Sequence, residues 1–237
     1  MSVQYGHYLV PVDSRYVPRE EAVLKLLHGL ASDGWIDTRA AARRTRFLEG
    51  SQRERTKLHG FAEIARDILE CVEGGLHQNI NLQPKELTSE ADTEDERVFW
   101  QMPKGTSLSQ HWCWGVSVSV SADLRLVPMG EIPGVLLCPL CRSDLAGQLG
   151  KEETPAVELL LECNACREKI DLNAVERIAD AAVTDCPQIS ELAPFFRFHL
   201  CLTSDSPPED PAVTDPTILE LLRSSTGVEF RALGRWF

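Results

Sequence analysis

Two short cysteine pairs constrain this chain more than any other feature. Cys138-Pro139-Leu140-Cys141 and Cys163-Asn164-Ala165-Cys166 are Cys-x-x-Cys units with 21 residues between them, close to the ~15–20 residue spacer of paired metal-binding knuckles. Two intervening residues let both sulfurs of a pair aim at one centre ~2.3 Å away, and two such pairs complete a tetrahedron. The spacing therefore predicts one structural Zn²⁺ per chain, held by Cys138, Cys141, Cys163 and Cys166, with no position left open for water or substrate. A lone Cys-x-x-Cys would equally suit a redox dithiol, and in a secreted chain all four could pair as disulfides. The second matched pair argues against the first alternative. An N-terminus from Met1 to Val10 with no basic region, long apolar core or cleavage site argues against the second. Cys71, Cys113, Cys186 and Cys201 lack ligand spacing and are expected to be core residues or spare thiols.

Val135-Leu136-Leu137 leads into the first pair and residues 156–161 lead into the second, each reading as a strand. With these flanks, residues 132–170 resemble a zinc ribbon, and the resemblance covers that segment alone. It implies a short β-module whose knuckles lie at strand ends and whose metal serves folding. Such ribbons commonly carry glycine after a Cys-Pro-x-Cys pair, whereas Arg142 and Arg167 follow the pairs here.

The rest of the chain reads as α+β: a mainly antiparallel sheet with flanking helices and an inserted four-cysteine zinc ribbon. Tyr5–Val12 is expected to be a strand. Val23, Leu26, Leu27 and Leu30 then fall at helical spacing, ended at Ser32-Asp33-Gly34. Residues 37–57 are polar and arginine-rich, with a short helix expected through Ala40–Ala42. A further helix is expected from Leu58 to Val72. Val98–Met102 reads as a strand, and Trp112 to Ser121 alternates apolar with small polar residues, the pattern of a half-buried strand. Leu172, Val175, Ile178, Ala179 and Ala182 suggest a helix, Phe195–Leu202 a strand with Phe196, Phe198 and Leu200 on one side. Pro216 opens a last helix that Gly227 stops, and Val228–Ala232 is expected as the last strand. The expected organisation is a mixed strand and helical region at 1–87, an α+β sheet region at 88–131 and 171–237, and the ribbon at 132–170.

Charge narrows the function classes. The formal net charge is −12, which argues against a chain whose whole surface neutralises phosphates. Residues 1–87 carry 12 basic and 12 acidic side chains, so the entire −12 falls in residues 88–237. No apolar run approaches the ~18 residues of a membrane span. Metalloprotease, nucleophile-elbow, P-loop and dinucleotide signatures are absent, and His111-Trp112-Cys113-Trp114 is the most suggestive local cluster, read as an aromatic sheet face. Small acidic chains without catalytic motifs resemble, at the level of class, bacterial immunity proteins, which neutralise basic toxins by charge and shape. The resemblance implies a non-enzymatic, cytoplasmic binding protein with a basic protein partner, such as a toxin. Asp205, Glu209, Asp210 and Asp215, in the proline-stiffened stretch 203–216, are its candidate contacts. The alternative is a nucleic-acid-associated zinc-ribbon factor. It would use the basic strip 39–57, where seven Arg and Lys stand against Glu49 and Glu54, with Arg43, Arg44 and Arg46 as phosphate contacts.

Overall fold

A computed structural model describes residues 5–47, 53–83, 100–101, 112–126, 134–145, 148, 160–171, 176–179, 190–192, 195–204 and 216–236. The class is α+β. Its frame is an eight-stranded, antiparallel sheet made from β1 (Tyr5–Pro11), β2 (Ala41–Phe47), β3 (Arg53–His59), β4 (His77–Leu82), β5 (Trp100–Gln101), β6 (Trp112–Leu126), β12 (Phe195–Ser204) and β13 (Phe230–Trp236). The order is β13-β1-β12-β6-β4-β2-β3, with β5 also pairing with β6. Strands from both ends of the chain thus interleave: β1 lies between β12 and β13.

Helices α1 (Glu20–Ser32), α2 (Phe61–Glu73) and α3 (Pro216–Thr226) pack on one side of this sheet. Val23, Leu26, Leu27 and Leu30 turn the α1 stripe inward, as their spacing requires, and Ile64 and Ile68 do so from α2. They meet Val116, Val118 and Val120 of β6 with Phe198, Leu200 and Leu202 of β12, all at most 1% exposed. Each fully buried side chain of this size contributes about 1.5–3 kcal/mol relative to exposure, so this seam is the centre of the fold. Gly29 lets α1 approach α3: a Cβ there would stand 2.3 Å from Leu221 Cδ1.

Four local expectations are corrected. Residues 41–47 and 53–59 pair as antiparallel strands, β2 and β3, where a short helix was expected through Ala40–Ala42. Ala40 sits at φ 53°, a left-handed conformation that ends any helix. The strand pair alternates as strands do, but its inward positions include only Ala42 and Leu58 as buried apolar residues, too thin a pattern to read. Leu58 therefore belongs to β3, and α2 starts at Phe61 after Gly60 at φ 85°; the Glu63 carboxylate accepts the His59 N–H at 2.6 Å and fixes this entry. Glu176–Ala179, expected to be helical, is strand β10, hydrogen-bonded between β7 (Gly134–Leu137) and β11 (Ser190–Leu192). Non-local pairing overrides a short helical spacing there. Finally, Phe196 does not share a side with Phe198 and Leu200. A register shift between Phe196 and Phe198 turns Phe196 to the opposite side, against Tyr8, Val10 and Cys201. The expected acidic connection at 84–97 lies outside the described residues.

Candidate metal centre

The first knuckle leaves β7 directly: Leu137 bridges to Asp144, so the chain reverses around Cys138 and Cys141. The second knuckle is the turn between β8 (Leu160–Glu162) and β9 (Lys169–Asp171). The two turns repeat one hydrogen-bond pattern. Cys138 N–H donates to Ser143 C=O at 2.9 Å and Arg142 N–H to Cys138 C=O at 2.9 Å. Cys163 N–H donates to Glu168 C=O at 3.0 Å and Arg167 N–H to Cys163 C=O at 2.7 Å. Both turns close through a left-handed residue, Arg142 at φ 60° and Arg167 at φ 64°. These are the two positions where the ribbon pattern would favour glycine.

This geometry brings all four predicted sulfurs together, every pair within 4.8 Å. Cys138 Sγ lies 3.9 Å from Cys166 Sγ, and Cys141 Sγ lies 3.7 Å from Cys163 Sγ. A regular tetrahedron with metal–sulfur bonds of ~2.3 Å has edges of about 3.8 Å. The donor set and its spacing therefore fit a four-coordinate, thiophilic metal such as zinc, and the thiolate chemistry disfavours magnesium or calcium, which take oxygen ligands. Cys138 and Cys163 are fully buried, Cys166 is half-buried and Cys141 is exposed.

Two residues that the spacing argument passed over support the cluster. Ser143 Oγ lies 3.0 Å from Cys141 Sγ and 3.3 Å from Cys163 Sγ. Its hydroxyl, helped by backbone N–H groups, holds both thiols below the ordinary range, Cys163 at about 6. The Glu168 N–H lowers Cys166, but burial and the three neighbouring sulfurs outweigh it and push that thiol up to about 12. Four sulfurs this close cannot all ionise without a cation among them. Gln148 ties the knuckles together, donating from Nε2 to Glu162 C=O at 2.8 Å and accepting the Asn164 N–H at 2.9 Å. Both are isolated polar residues, with no periodicity to mark them. Among the described residues of this region, Leu145 and Ile170 are buried apolar side chains, 0% and 2% exposed.

The other candidate residues are dispersed. Arg43 is exposed on β2, whereas Arg44 points to the opposite side and pairs with Asp67 of α2; Arg46 lies in the same strand, opposite Glu54 in register. Asp205, Glu209, Asp210 and Asp215 lie outside the described residues, as do His111 and Cys186. Cys71 and Cys201 are buried thiols, and burial pushes Cys201 up to about 12. Among the described residues, no helix is long and apolar enough to cross a membrane. No protein-family model matches the chain, and neither a curated protein nor a solved structure matches it.

Proposed function

We propose that this chain is a non-enzymatic binding protein in which a single structural Zn²⁺ organises the ribbon, and that its acidic portion recognises a basic protein partner, in the manner of an immunity protein or adaptor. The observation that carries the first part is the closed set of four thiolates. With all four coordination positions taken by protein sulfur, the metal has no site at which to activate water, and its binding energy goes into folding. Segregation of charge supports the second part. The whole −12 falls in residues 88–237, and such a field raises association rate and selects against acidic competitors. A reducing compartment such as the bacterial cytoplasm suits four metal-bound thiolates.

Affinity capture of the tagged full chain from its native lysate, with and without nuclease, tests this reading. The expected result is a stoichiometric basic protein that survives nuclease. Its affinity should fall with salt and weaken at least tenfold in the Glu209→Lys/Asp210→Lys variant. Salt-insensitive binding, unchanged in that variant, would overturn the acidic-surface reading.

A further inference from the structure

The two sides of the sheet differ. One is covered by α1, α2 and α3; on the other, the described side chains of β3, β2 and β4 that share the row of Arg43 and the next are polar. Antiparallel register fixes which positions share it. Lys57 is opposite Arg43, Arg43 opposite Asn81, and Asn81 opposite Ser117. The next row on the same side is Arg55, Thr45, Asn79 and Ser119, and the third is Arg53, Phe47, His77 and Ser121. Lys57, Arg43 and Asn81 are exposed, and Thr45, Asn79 and His77 are half-buried. Among the described residues, Arg43 and Lys57 take part in no ion pair, and the buried Oδ1 of Asn79 accepts no hydrogen bond. Alternation removes Arg44 from this side altogether, into its pair with Asp67.

We propose that the side of β3–β2–β4 facing away from the helices, at the exposed Arg43, Lys57 and Asn81, binds the phosphodiester backbone of a single-stranded nucleic acid. Arg43 and Lys57, exposed and directly opposite one another on adjacent strands, give the charge complementarity. Asn81, exposed, and Thr45, half-buried, stand beside them as hydrogen-bonding groups for phosphate or base edges. Strands ~4.8 Å apart make this a platform roughly 10–15 Å wide. A broad sheet side suits splayed bases, whereas a duplex groove admits a helix or a two-stranded ribbon. The proposal stands independently of the protein partner proposed above.

Fluorescence anisotropy with a labelled 20-nucleotide oligouridylate tests it, using the full zinc-loaded chain. The comparison is wild type, Arg43→Ala/Lys57→Ala, and Arg66→Ala, the last removing an exposed charge from α2 on the helix-covered side. Wild type should bind at low salt, with affinity falling steeply as salt rises. The double variant should bind at least tenfold more weakly and with a shallower salt dependence, by about 0.7 in slope per lost phosphate contact. Arg66→Ala should bind as wild type does. All three positions are exposed, and circular dichroism confirms that each variant is folded. Equal binding by wild type and the double variant would mean that the charges only keep edge strand β3 from pairing with other chains, and the proposal falls. It falls equally if wild type does not bind, if a duplex of the same length binds more tightly, or if polyglutamate competes as well as the oligonucleotide.

Discussion

Arg44 of β2 and Asp67 of α2 form an ion pair on the helix-covered side of the sheet, with side chains 12% and 5% exposed. Gln78, fully buried on β4, donates to the Asp67 backbone carbonyl at 2.9 Å. One arginine of a strongly basic strand pair is thus committed to locking β2 and β4 onto α2. Removing one partner leaves the other charge desolvated, a cost of about 3–5 kcal/mol. Asp67→Ala should lower stability by that order in denaturant unfolding, while Arg43→Ala, at an exposed position one residue away from Arg44, should change it by less than ~0.5 kcal/mol. Similar losses for the two would show that the ion pair does not lock the strands.

Metal removal should separate the two parts of the molecule. Among the described residues, the large core of α1, α2, α3 and the eight-stranded sheet contains no ribbon residue, and the buried ones in the ribbon are two cysteines with Leu145 and Ile170. Strong chelator should release one Zn²⁺ per chain and abolish amide protection at Cys138, Arg142, Cys163 and Arg167, leaving protection in β6 and β12 intact. Hydrogen exchange read by mass spectrometry checks this. Retained ribbon protection in the metal-free chain would refute the folding role of the metal.

Arg142 and Arg167 hold left-handed backbone at φ 60° and 64°, which costs a non-glycine residue about 1–2 kcal/mol. Substitution by alanine removes the charge and keeps the strain; substitution by glycine removes both. Arg167→Gly should therefore exceed Arg167→Ala in stability by about 1 kcal/mol, after allowance for the greater freedom of glycine in the unfolded chain. The same order should hold at 142. Thermal melting of the zinc-loaded variants decides it, and a reversed order would place the cost elsewhere.

Burial holds His77 at about 4, with the nearby Arg125 charge adding to the effect, and His199 at about 3, with His77 adding. His77 Nε2 lies 3.5 Å from Ser119 Oγ, and the His199 ring meets Tyr8 edge-on at 5.4 Å. Both imidazoles are neutral in the fold at pH 7. In the unfolded chain each protonates near 6.5, so below that pH the unfolded state binds more protons and stability falls. The loss should begin as pH drops through about 6.5 and level off below about 3 to 4, reaching on the order of 3 kcal/mol from His77 alone. His77→Gln should flatten part of this slope in denaturant titrations between pH 7 and 4. An unchanged slope would assign it to other groups.

The legible parts of this protein were those governed by near neighbours in the chain. Two Cys-x-x-Cys pairs announced a four-sulfur cluster because knuckle geometry is local, and the structure gathers those sulfurs within 4.8 Å. The stripe Val23–Leu30 and the alternation Val116–Val120 each carry enough apolar residues to fix an element and its inward side. The β2–β3 pair was illegible because it buries so little of itself: Ala42 and Leu58 hold it inward, and β2 is anchored by pairing with β4, from Ala42–Leu82 to Phe47–His77, far along the sequence. Glu176–Ala179 failed for the same reason, since its partners are Gly134–Leu137 and Ser190–Leu192.

Ser143 and Gln148 were invisible because a hydroxyl or amide in a loop has no pattern until its acceptor is placed. The division of the arginines belongs to the same class. Adjacent residues of a strand point to opposite sides, so Arg43 and Arg44 were parted once residues 41–47 proved to be a strand. Only the fold brought Asp67 to meet Arg44. Sequence alone determined the class, the four-cysteine cluster and the main core stripes, through local spacing and apolar period. Tertiary structure alone decided which charges are committed to the core and which face solvent, because that depends on contacts between segments distant in the chain.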